Sequence, residues 1–247
     1  MNLPAELWIG LCLILILAFA FLERNRSKRG LRKIPAFDQL RRIIDLSVED
    51  GSRLQISLGR GGLLGPEAAS AFAGMTLLRQ IANVAADSDQ PPIATTGDGS
   101  LMLLAQDSLQ NVYKRLGISE QYYPRLVQTT GLTPMSYAAG ALPRILDRGV
   151  SASAFVGSFG EEIGLLTAGT QLSGGFSIGG SENLTGQAVL YASADQPLIG
   201  EEIFASGAYT EAGPTHRASL RAQDVLRWIV IFLLAVTALF PLYESLP

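Results

Sequence analysis

The sequence predicts an α/β fold of Rossmann-like type, a mostly parallel sheet flanked by small-residue helices, together with two transmembrane helices. Three observations predict it. A short alternating apolar run leads through a glycine cluster into a long helix rich in small residues, as one strand–turn–helix unit does. The same order recurs downstream. At each end of the chain lies an uncharged apolar block, residues 7–22 and 228–243.

The chain has 247 residues, enough for one medium domain with a real core. Its net charge is −3 and only 17% of its residues are charged. Each apolar block falls slightly short of the ~20 residues that cover a bilayer core. Leu3-Pro4-Ala5 lengthens the first, and Trp8, Trp228 and Tyr243 stand where interfacial aromatics belong. Both blocks are apolar all round, which argues against a pair of core helices with a polar face. A signal peptide carries its positive charge before the apolar run. Here Glu6 precedes it, while Arg24, Arg26, Lys28, Arg29, Arg32 and Lys33 follow. Arg217, Arg221 and Arg227 precede the second block, and only Glu244 follows. By the positive-inside rule both segments predict a two-pass inner-membrane protein with a cytoplasmic centre and both termini outside. The expected partners are the lipid bilayer and either further copies of the chain or a membrane protein complex. The organisation read from this is a first membrane helix over residues 1–23, a basic linker with a short helix over 24–50, a cytoplasmic α/β domain over 51–214, and a linker helix with the second membrane helix over 215–247.

Along the central region, Phe37, Leu40, Ile43, Ile44 and Leu46 keep helical spacing and predict a short amphipathic helix. It would lie on the domain or along the membrane. Leu54-Gln55-Ile56-Ser57-Leu58 is the first strand, broken by Gly59-Arg60-Gly61-Gly62. Gly65-Pro66-Glu67 then opens a helix whose Ala68, Ala69, Ala71, Ala73 and Gly74 keep it narrow enough to pack close to a sheet. Residues 93–96 form a second strand. Gly97-Asp98-Gly99-Ser100 breaks it and caps a helix that Gly117 stops. A third strand is read over residues 126–130, and Thr133-Pro134 opens the next helix, which Pro143 kinks or ends. Residues 150–156 alternate as a strand, after which Glu161-Glu162 starts a helix. Residues 176–178 form a strand between glycine pairs. Residues 183–194 fit a strand or a helix by periodicity, and the Ser181-Glu182-Asn183 capping chemistry favours the helix. Pro197 is read as starting a further helix over residues 200–209. Gly160-Glu161-Glu162-Ile163 and Gly200-Glu201-Glu202-Ile203 echo each other, through duplication or coincidence.

The glycine turns are the candidate ligand site: Gly59, Arg60, Gly61 and Gly62 after the first strand, and Gly97, Asp98 and Gly99 after the second. Free backbone amides beside a helix N-terminus attract anions. Neither G-x-G-x-x-G nor the P-loop pattern is complete, and tight turns need glycine without any ligand. Asp98, Glu161 and Glu201 stand near helix starts. They are candidates for a hard cation if the strand ends converge, or are simply favoured there by the helix dipole. Catalysis finds little to work with. The single histidine, His216, and the single cysteine, Cys12, both belong to the terminal segments, which also leaves no zinc set and no intramolecular disulfide. No G-x-S-x-G elbow is present, no catalytic residue is assigned, and no cofactor is indicated. The centre lacks a basic patch interleaved with aromatics, so no nucleic-acid partner is expected.

Several pieces are familiar together: Ser57-Leu58-Gly59-Arg60-Gly61-Gly62, Thr96-Gly97-Asp98-Gly99, Gly131-Leu132-Thr133-Pro134, the run from Ser136 to Pro143, Gln187-Ala188-Val189-Leu190-Tyr191-Ala192 and Leu198-Ile199-Gly200-Glu201-Glu202. They resemble an uncharacterised bacterial membrane-protein family described as a domain of unknown function. The resemblance spans most of residues 54–240 and implies the two-ended membrane layout, without a reaction or cofactor. The functional expectation is a membrane-tethered cytoplasmic α/β module serving as a structural or interaction component of a membrane assembly. Its alternative is a Rossmann-like domain that binds a nucleotide or metabolite through the glycine turns.

Overall fold

The computed structural model describes residues 5–23, 32–210 and 212–244. In chain order it contains α1 (Ala5–Glu23), α2 (Pro35–Glu49), β1 (Arg53–Gly59), α3 (Ala68–Ala85), β2 (Ile93–Thr96), α4 (Gly99–Leu116) and β3 (Val127–Thr129). There follow α5 (Pro134–Ile145), β4 (Val150–Ser158), α6 (Ile163–Leu172), β5 (Phe176–Ser181), α7 (Leu184–Ser193), β6 (Gln196–Leu198), α8 (Ser206–Tyr209) and α9 (Pro214–Glu244). Two compact units result: residues 33–210, and the terminal segments 1–32 with 211–247.

Local signals account for many of the boundaries. The Asp98 carboxylate accepts from the Leu101 amide and caps α4, and Gly117, in the left-handed region at φ 77°, ends it. Thr133 and Ser136 form a reciprocal capping box at the start of α5, with Pro134 in its first turn. In α2, Phe37, Leu40 and Ile44 are buried, and the Phe37 ring stacks on Tyr209 at 5.0 Å. The amphipathic helix therefore lies on the α/β unit.

All strand pairings are parallel, in the order β3-β2-β1-β4-β5-β6. From β1 the chain winds outward through α3 and α4 to β3, then returns through α5 to place β4 on the other side of β1. Right-handed crossovers put α3 and α4 on one face of the sheet and α5, α6 and α7 on the other. On the first face Leu54, Ala152, Ala154 and Ile178 meet Leu40 and Ile81 around a void of only about 10 Å³. On the second face Phe155 and Phe159 pack with Tyr137, Ile145, Ile163, Leu166 and Leu190.

Because helices cover both faces, the polar half of the alternating first strand is buried too. Gln55 and Ser57 are fully inaccessible; Gln55 Nε2 and the Ser57 hydroxyl are hydrogen-bonded, while Gln55 Oε1 has no partner among the described residues. Gln55 Nε2 donates to Ser57 Oγ at 2.9 Å and to Thr95 Oγ1 at 3.1 Å, and Thr95 Oγ1 shares a hydrogen bond with the Tyr137 hydroxyl at 3.2 Å.

Two buried tyrosines give contrasting expectations. The Tyr113 hydroxyl is buried without a hydrogen-bond partner among the described residues, and burial, with Tyr122 beside it, pushes its phenol up to about 12 from 10.0. A raised folded-state value means that this stability is intact below pH 10 and is lost as pH climbs through about 12. Tyr113→Phe should therefore leave neutral-pH stability unchanged or raise it by up to about 1 kcal/mol, and should flatten the alkaline loss. Tyr137→Phe removes a bonded hydroxyl and should cost about 1 kcal/mol. Urea midpoints at pH 7 and along an alkaline series check both.

Two expectations are corrected. Among the described residues no helix is long and apolar enough to cross a membrane, which overturns the two transmembrane helices. With them go the two-pass inner-membrane placement, the cytoplasmic centre and the outward termini. The physical reason is length and charge. At ~1.5 Å per residue the run over residues 7–22 rises about 24 Å, against a hydrocarbon core of ~30 Å. In α9 the charges of Arg217, Arg221, Asp224 and Arg227 confine the uncharged run to residues 228–243, which is no longer than the first. Arg24, Arg26, Lys28 and Arg29, which oriented the first block, lie outside the described residues. The second correction concerns Pro197, which lies in β6, paired with β5 through Ile178↔Gln196 and Gly180↔Leu198; the helical segment expected over residues 200–209 does form beyond it, as a 3-10 helix over Gly200–Ala205 followed by α8. An edge strand tolerates a residue without an N–H, because one side of its ladder is unpaired.

Candidate functional site

In an open parallel sheet, ligands bind at the carboxyl ends of the strands where the winding reverses. Here that point lies between β1 and β4, so the glycine turn after β1 is the first place to look. Gly59 ends β1 at φ 72°, and a Cβ on it would stand 2.5 Å from the Ser158 carbonyl oxygen of β4. Only glycine fits so close to a neighbouring backbone. The Arg60 amide donates to Ser158 O at 3.0 Å, and the Gly97 amide donates to Gly59 O at 2.8 Å. These bonds tie the ends of β1, β2 and β4 together.

The Arg60 side chain leaves this turn along Gly97, where a Cβ would lie 2.6 Å from Arg60 Cγ. Its Nε donates to Glu162 Oε1 at 3.0 Å. Glu162 is 1% exposed, and its other oxygen accepts from the Gly160 amide at 2.9 Å. A buried carboxylate is tolerated only when paired and hydrogen-bonded, and both conditions hold. Beneath the pair sits Tyr137, fully buried. Burial raises its phenol above the ordinary value, the nearby Glu162 charge adds to this, and hydrogen bonds with Ser57, Thr95 and the Gly59 backbone oppose it. Its hydroxyl stays protonated at neutral pH. At the switch point the protein thus places its own arginine, partly exposed and with a carboxylate partner.

The structure brings the two glycine turns together. Gly59, Arg60, Gly61 and Gly62 adjoin Gly97, Asp98 and Gly99 on neighbouring strands, and a Cβ on Gly62 would lie 3.6 Å from Asp98 Oδ2. Gly61 packs against Glu67 and Ser158, whereas Gly99 has nothing within 4 Å of its missing Cβ. Asp98 spends one oxygen on its own helix, accepting from the Leu101 amide at 2.8 Å and from Ser100 Oγ. An anion entering here would meet the carboxylate of Asp98 beside the glycine amides.

The three acids considered for a cation do not share a place. Asp98 follows β2, Glu161 follows β4 and Glu201 follows β6, so Asp98 and Glu201 are four strand spacings apart, roughly 19 Å at ~4.8 Å each. Among the described residues no group of three or more His, Cys, Asp or Glu could hold a metal ion. The echoed Gly-Glu-Glu-Ile segments occupy equivalent ends of β4 and β6, and Ile163 and Ile203 are both fully buried. Glu162 serves Arg60 and the Gly160 amide, while Glu202 Oε2 accepts from the Ile199 amide at 3.3 Å.

Reading the residues in order found both glycine turns but missed the Arg60–Glu162 pair and Tyr137. Nothing local marks them, since the partners are brought together only by the position of β4 beside β1. Comparison with known proteins places the whole chain. It belongs to the family described as domain of unknown function DUF6754, whose model matches residues 4–245. No curated protein and no solved structure matches it.

Proposed function

We propose that this member of the DUF6754 family is a structural interaction module, and that it assembles with further copies of itself through the α1–α9 pair. The observation that carries the reading is the surface of that pair. α1 and α9 pack on one another. Even so, Ile9, Leu13, Ile14 and Leu17 of α1 and Trp228 and Phe232 of α9 remain exposed in the single chain. A helix that is apolar around its whole circumference is stable in water only when it is covered on all sides. Exposed side chains of this number offer on the order of 1,000 Å² of apolar surface, the scale that a specific protein interface buries.

A second copy of the same pair is the occupant the chemistry favours. It would continue the existing α1–α9 contact with identical side chains, and a two-fold axis would make two helix pairs into a four-helix bundle. Among the described residues Gly10 has nothing within 4 Å of its missing Cβ, which leaves room for a neighbouring helix to approach closely. Sedimentation equilibrium of the full chain in detergent-free buffer tests the reading. The wild-type protein should be a dimer, and Leu13→Glu with Leu17→Glu should shift it to monomer by placing carboxylates in the interface. A monomeric wild type, or a double variant that keeps the oligomeric state, would sink the reading.

The second reading is a nucleotide or metabolite held by the glycine turns. One observation favours it: the strand order places Gly59–Gly62 at the reversal point of the sheet. Arg60, engaged with Glu162 through Nε alone and partly exposed, would be the cation such a ligand meets.

A further inference from the structure

A cavity of about 350 Å³ opens on the helical layer, between α3 and α4, and has no part in the strand-end site. It is lined by Arg79, Ser108, Asn111, Val112 and Arg115. Val112 is buried and forms an apolar floor. The remaining lining groups are two guanidinium ions, a hydroxyl and a carboxamide, all able to donate hydrogen bonds. Among the described residues no carboxylate lines it; Asp107, outside the lining, accepts from Asn111 Nδ2 at 3.2 Å.

The two arginines differ in a telling way. Arg115 stands in the last turn of α4, where the helix dipole favours a cation, and its Nη2 donates to Asn83 Oδ1 of α3 at 2.7 Å. That bond crosses the groove and holds the guanidinium in place. Arg79 lies in the middle of α3, where no dipole accounts for it, and makes no hydrogen bond or ion pair among the described residues. A fixed arginine and an unengaged one therefore share one concave surface with two neutral donors.

We infer that this groove binds a small phosphate-bearing molecule. Guanidinium forks match the geometry of phosphate oxygens with paired N–H donors, and Ser108 and Asn111 would supply further donors. The volume lies at the lower end of the range for small-ligand sites, room enough for a phosphate and a compact organic part above Val112. The phosphate comes either from a soluble molecule or from a lipid headgroup, and the test separates the two.

Calorimetric titration of the full chain with inorganic pyrophosphate, in phosphate-free buffer, should show saturable binding that weakens with added sodium chloride. Arg79→Gln should weaken it about tenfold, the equivalent of one charge-assisted contact. Asn111→Asp, which sets a carboxylate in the groove, should abolish it. Arg148→Gln, an exposed arginine elsewhere, should leave it unchanged. Co-sedimentation with phosphatidylglycerol vesicles runs in parallel. Retention that is lost in Arg79→Gln, without pyrophosphate binding, assigns the phosphate to a headgroup, whereas pyrophosphate binding assigns it to a soluble ligand. If neither probe binds, or if Arg79→Gln and Asn111→Asp bind like the wild type, the site is overturned. All of these positions are exposed, so matching thermal melts separate a lost site from a lost fold.

Discussion

Replacing Arg60 by methionine is expected to lower the unfolding free energy by about 3 kcal/mol, because it leaves the Glu162 carboxylate buried without its counter-charge. Glu162 is 1% exposed, so water cannot take over the role. The Gly160 amide at 2.9 Å remains as a partner and keeps the loss at the lower end of the range for a broken buried pair. The double variant Arg60→Met with Glu162→Gln should recover about half of it, since a neutral carboxamide is far cheaper to bury than a carboxylate. Urea titrations of the wild type, both single variants and the double variant close the cycle. A loss below about 1 kcal/mol for Arg60→Met would mean that the pair behaves as an exposed one and that Glu162 does not depend on Arg60 for its burial. The same variant bears on ligand binding, because Arg60 is the cation that an anionic ligand at the strand ends would meet.

Gly74→Val is expected to cost about 3 kcal/mol or more and to lower the melting temperature by roughly 10 °C. At Gly74 the α3 backbone lies directly against the sheet. A Cβ there would stand 2.3 Å from the Val156 carbonyl oxygen and 3.1 Å from Leu58 Cδ2. The first of these is backbone in a central strand and cannot swing aside, so the helix must lift and open the packing around Leu77, Leu78 and Ile81. Gly99→Ala provides the contrast, since its missing Cβ has nothing within 4 Å. It should be neutral or stabilising by up to about 1 kcal/mol, through the helix propensity of alanine. Calorimetric melts of the two variants side by side separate close packing from a general penalty for losing glycine. Equal shifts in both would contradict the account.

What the sequence determined by itself was local. The strand–turn–helix units, the caps at Asp98 and Thr133, the stop at Gly117 and the narrow face of α3 all depend on residues within a few positions of one another. Side-chain size and hydrogen-bonding reach decide them before any distant strand arrives. The pairing of the two glycine turns was legible to the same extent, as two loops of similar chemistry. Only the tertiary structure decided that β4 lies beside β1. That placement sets Glu162 against Arg60, and coverage of both faces of the sheet turns Gln55 and Ser57 from an outward face into a buried network. It also decided that Pro197 belongs to an edge strand, since the same dipeptide chemistry opens a helix unless a neighbouring strand offers a ladder. The terminal blocks show the converse. Their apolar composition is plain in sequence, but crossing a bilayer depends on a continuous uncharged length, and the helices actually formed do not supply it. Periodicity reports which side of an element is apolar; what covers that side depends on contacts between residues far apart in the chain, and those exist only once the fold has formed.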